Sequence, residues 1–160
     1  MIHQAVLQKM LPTIVHLASD WVALVEKNLW NSARPLTDQE RAKAVQMGVQ
    51  KPDSIRIAVV DELPEPAFEL KNLAEQLRIL TSATPSLTYG HLIVIKRSAP
   101  HHEELIQHSL GHALQIERCG SVRAFLREYF EQCIEYGKEK CPMELEVRAN
   151  VSKLCTHPNA

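Results

Sequence analysis

From Pro100 to Cys155 the sequence spells three amphipathic helices in succession, punctuated by Gly120, Gly137 and Pro142. Nothing else in the chain restricts the fold as much, because three such helices must bury their stripes on one another or on a shared sheet. Pro100 suits the first turn of a helix, and Gly120 can end that helix in the left-handed conformation. Ser121 caps the next, whose Val122, Phe125, Leu126, Tyr129, Phe130, Cys133 and Ile134 form one apolar stripe until Gly137. Pro142 then opens a last helix, "MELEVRANVSKLC".

The first hundred residues mix the two periods. Val6, Met10, Ile14, Leu17, Trp21, Leu24 and Val25 recur at three- and four-residue spacing, predicting a helix over 3–30 with that stripe buried and a break or kink near Pro12. Thr37-Asp38-Gln39-Glu40 is a capping-box pattern for a short helix closed by Gly48. "SIRIAVV" (54–60) and "HLIVI" (91–95) are β-branched runs bounded by proline or glycine, and are expected to be strands. Leu70, Leu73, Ala74, Leu77 and Leu80 predict a helix over 67–80. The expectation is a helix-dominated α+β fold, one domain over 1–160, with a two-strand or larger β element.

Composition narrows the function. A net charge of -1 obliges no face to be strongly basic, which argues against nucleic-acid binding. No apolar run approaches the roughly 20 residues of a membrane span. "MIHQAVLQKMLPTIVHL" lacks the basic start, apolar centre and cleavage site of a secretory signal, so a cytoplasmic location is expected. Cys119, Cys133, Cys141 and Cys155 contain no C-x-x-C pair, which disfavours a tetrathiolate zinc site and predicts buried free thiols.

Chemistry concentrates in "HHEELIQHSLGHALQIERCG", residues 101–120. Positions four apart share a helix face, so His101, Leu105, His108, His112 and Gln115 form one ridge. His108 and His112 can grip one metal ion with neutral imidazole nitrogens. A solvated or hydrogen-bonded polar ridge produces the same spacing. A third ligand for zinc is commonly a carboxylate from a later helix, and "MELEVRAN" offers Glu144 and Glu146. A surface ion pair with Arg148 or Lys153 is the plainer role for Glu146.

The stretch 108–150 resembles small zincin-like proteins of the glutamate-ligand (gluzincin) type, whose pattern is H-E-x-x-H, A-Q-x-E-R-x-G, an aromatic helix and E-x-x-A-[DN]. Here these are His108-Ser109-Leu110-Gly111-His112, Ala113 to Gly120, "FLREYF", and Glu146 to Asn150. "ARPLTDQE" and "YGHLIVI" also resemble members of an uncharacterised bacterial group of this kind. The resemblance implies a metallopeptidase-like zinc site with His108, His112 and Glu146 as ligands, a peptide or protein partner, and Ser109 where the general base stands.

That serine is the departure. In H-E-x-x-H hydrolases the glutamate takes the proton of the attacking water and passes it to the leaving amine. A serine hydroxyl is too weak a base, and the lost help is worth 10²–10⁴-fold. Glu104 and Glu103, one turn before His108, and Glu144 are the carboxylates that could substitute. The residues thus support a degenerate, metal-binding zincin-like protein. A helical interaction or scaffold protein with a vestigial site, and a metal-dependent hydrolase with a relocated base, are the alternatives. His101 and His102 are expected to be exposed, and His91, His3 and His16 are assigned no ligand role.

Overall fold

The computed structural model describes residues 1–156. Six helices, α1 (Gln4–Leu29), α2 (Asp38–Met47), α3 (Phe68–Gln76), α4 (His102–Cys119), α5 (Val122–Tyr136) and α6 (Pro142–Thr156), surround a small sheet. Its strands are β1 (Arg34–Pro35), β2 (Arg56–Val60), β3 (Ser86–Tyr89) and β4 (Leu92–Lys96), in the order β1-β2-β4-β3. β2 and β4 run parallel with Ile57 opposite Ile93, and the two outer pairings are antiparallel. The expected helix-dominated α+β architecture is the one adopted, with the larger of the two β elements.

β4 is one of the two inner strands, and its unbroken apolar run reflects burial on both faces. Its alternation sends Ile93 and Ile95 to one side, where they meet Ile57 and the α4 residues Ile106, Leu110 and Ala113. Leu92 and Val94 face the other side, in the larger core formed with α1, α3 and α5. β4 therefore lies between two apolar layers, and α4 covers one of them. α2 carries the full capping box, with Thr37 Oγ1 accepting from the Glu40 amide at 3.2 Å and the Thr37 amide donating to Glu40 Oε2 at 2.8 Å.

Four expectations are corrected. α1 runs unbroken through Pro12. Pro12 and Gln8, whose carbonyl loses its partner, are both exposed, so water replaces the missing hydrogen bond. The buried stripe of α1 is Leu7, Leu11, Ile14, Val15, Ala18, Val22 and Val25, whereas Val6, Met10, Leu17 and Leu24 are exposed. α3 stops at Gln76 rather than residue 80, since Arg78 takes a left-handed backbone (φ 58°) and Ile79 and Leu80 reach the core as loop residues. The cysteines are all free, but only Cys133 and Cys141 are buried, and Cys155 is exposed.

Candidate metal centre

α4 and α6 cross at Gly111, where the missing side chain lets the Val147 side chain sit directly on the α4 backbone. This close approach brings the first turn of α6 over the His108–His112 face. His108 Nε2 and His112 Nε2 stand 3.2 Å apart. Glu144 Oε2 lies 3.2 Å from His108 Nε2, and Glu144 Oε1 lies 3.3 Å from His112 Nε2. A tetrahedral ion with bonds of ~2.0–2.1 Å to nitrogen and oxygen needs its ligand atoms roughly 3.3–3.4 Å apart. The two nitrogens are close to that spacing, and each has a different Glu144 oxygen at a similar distance. This His-His-Glu group can hold a metal ion.

The carboxylate in the group is Glu144, not the expected Glu146. Glu146 instead forms a two-pronged ion pair with Arg118, using Oε1 toward Nη1 and Oε2 toward Nη2. It also accepts from Gln115 Nε2 at 3.0 Å. Glu146 thus stands behind the site, one residue removed from His112.

Gln115 connects the two layers. Its Nε2 donates to the Met143 carbonyl at 2.9 Å as well as to Glu146, which fixes the amide orientation. Gln115 Oε1 must then face His112 Nδ1, 3.0 Å away, so Nδ1 carries the proton. The other ring nitrogen, Nε2, is the one turned toward Glu144 and His108. Such an outer hydrogen bond is how proteins orient a ligating imidazole. Gln115 is 1% exposed and is the site residue that sequence reasoning missed, although it lay on the same ridge.

Burial sharpens the electrostatics. Glu144 is 2% exposed and His112 8%, while the His108 side chain keeps 35% of its surface. Burial opposes ionisation of Glu144. Hydrogen bonding to His108 and His112, the charge interaction with His112, and the Tyr129 hydroxyl outweigh it and hold the carboxyl well below the usual range. Tyr129 donates to Glu144 Oε1 at 2.6 Å. Burial, reinforced by the Glu144 charge, pushes the Tyr129 phenol well up, so it remains a neutral donor. Phe125 and Tyr129 from α5 meet the His112 ring edge-to-face at 6.0 and 5.8 Å, shielding it from water.

The other candidates lie apart from this group. Ser109, 2% exposed, lines the chamber beside the histidines. Glu104 is exposed and does not line that chamber, and Glu103 pairs with Lys43. His101 is exposed, with a left-handed backbone at the start of α4, and His102 is half-buried. His16 pairs with Asp20, and His91 lies 3.8 Å from Glu26. Among the described residues no helix is long and apolar enough to cross a membrane. No family model, no curated protein and no solved structure matches the chain.

Proposed function

We propose that this protein is a zincin-like zinc binder in which His108, His112 and Glu144 are the protein ligands and the general base of peptide hydrolysis is missing. The observation carrying this reading is the convergence of three side chains: the two imidazole nitrogens stand 3.2 Å apart, and each has one Glu144 oxygen 3.2–3.3 Å away. Three further features support it. The donors are two imidazoles and a carboxylate, the set that zinc takes when a fourth position stays open. Gln115, held against His112 Nδ1, orients the ring so that Nε2 is the nitrogen offered to an ion. A buried carboxylate facing two ring nitrogens is strongly favoured by a cation among them.

When bound, zinc would supply Lewis acidity toward a carbonyl and activation of water. This chain's residues hold the site and keep water from its rear, but none beside it can accept a proton. Ser109 is too weak a base, Glu144 is occupied as a ligand, and Glu104 is exposed and outside the chamber lining. The resemblance to zincins in H-x-x-x-H and the aromatic helix supports descent from a peptidase whose chemistry has been lost.

Elemental analysis of purified protein incubated with zinc at neutral pH tests the reading. One zinc per chain is expected, abolished by His112→Ala and unaffected by His102→Ala. Metal content at background, or zinc retained in full by His112→Ala, would overturn it.

A further inference from the structure

The metal centre borders a partly open chamber of ≈ 120 Å³ lined by α1, α3, β3, α4 and α5. Its walls are apolar over most of their extent, including Trp21, Leu73, Leu80, Leu87, Leu126 and Phe130. The size compares with the engineered apolar cavity of ~150 Å³ that binds benzene. Polar side chains interrupt the lining. Lys138, between α5 and α6, borders the chamber, and its ammonium has no carboxylate partner among the described residues. Thr88 on β3 also lines it, and its Oγ1 is buried without a hydrogen-bond partner.

We infer that this chamber binds a small carboxylate carrying a compact aliphatic or aromatic group, with its head at the metal centre and its body against the apolar walls. The inference rests on the zinc reading and adds the ligand class to it. A divalent ion with one carboxylate and two neutral imidazoles keeps a net positive charge, and Lys138 adds another at the rim. An anion is therefore preferred over a neutral head group. The apolar volume favours a body of about benzene size over a bare acetate.

The test uses the full chain loaded with cobalt(II) in place of zinc, titrated with 4-methylpentanoate, 4-methylpentanamide and acetate. The visible absorption of the cobalt reports ligands entering its coordination shell. The 4-methylpentanoate is expected to shift that spectrum and to bind at least tenfold more tightly than acetate, since each buried methylene is worth about fourfold. It should exceed the amide by a similar factor. Lys138→Met should weaken the carboxylate severalfold while leaving metal content at one per chain. Ala74→Leu, which fills part of the chamber, should weaken 4-methylpentanoate and spare acetate. Equal affinity for acetate and 4-methylpentanoate, or for the acid and its amide, overturns the ligand class while the metal reading stands. A chain that holds no stoichiometric metal overturns both.

Discussion

A methyl group at Gly111 would stand 2.8 Å from Val147 Cγ1, inside van der Waals contact. The contact sets the separation of α4 from α6, and with it the reach of Glu144 to His108 and His112. Gly111→Ala therefore forces Val147, which is fully buried, to shift or drives the helices apart. Overpacking of this kind costs typically 1–3 kcal/mol. The variant should melt lower and bind zinc more weakly. Adding Val147→Ala should recover part of the zinc affinity, whereas simple additivity of the two changes would show that the contact does not set the site.

The two glutamates of α6 should separate cleanly. Glu144→Gln removes a ligand and should abolish stoichiometric zinc. Glu146→Gln should keep one zinc per chain but weaken affinity about 10–100-fold, the usual effect of losing an outer-layer partner. Zinc titration against a chromophoric chelator measures both. Loss of stoichiometry in Glu146→Gln with retention in Glu144→Gln would reverse the assignment.

Leu110 is fully buried between β4 and α4. Leu110→Ala should lower stability by roughly 2–5 kcal/mol, as core truncations do. Urea unfolding reads this directly, and a near-neutral change would mean that α4 is peripheral to the core.

Acid should weaken the link between α2 and β1. Hydrogen bonding to Arg34 lowers the Glu40 carboxyl, against partial burial and with help from the Thr37 amide. Its folded pKa lies below the ordinary value of 4.5, so the contribution is complete above that pH and disappears as pH falls through the folded value. Glu40→Gln should cost about 1 kcal/mol at pH 7, and wild type and variant should converge as pH falls through the lowered folded value. A gap that widens on acidification would refute the sign.

Zinc-loaded wild type should hydrolyse generic peptides no faster than free zinc does. Ser109→Glu places a carboxylate on the chamber wall beside the histidines and should produce measurable, zinc-dependent cleavage. Robust cleavage by wild type that is lost in Glu104→Gln would establish a relocated base instead.

Local rules carried the reading wherever one signal dominated. The Thr37–Glu40 capping box, the stops at Gly48 and Gly120, and the pairing of His108 with His112 depend only on neighbours along the chain. The helix-dominated α+β class follows from the same short-range patterns. β1 and β3 escaped them because two residues and a mixed four-residue edge strand have too little periodicity to declare themselves. On α1 the chain offers two overlapping apolar stripes that share Ile14 and Val25, and packing against α5 chose between them. The choice of carboxylate was likewise tertiary. Met143 and Val147 mark the buried face of α6, and Glu144 falls about 60° from Val147 while Glu146 falls about 100° away on the other side. Both glutamates are plausible ligands by sequence spacing alone. Only the approach of Val147 to Gly111, with Arg118 drawing Glu146 outward, turns Glu144 toward the histidines, because a ligand set is a property of distances between helices.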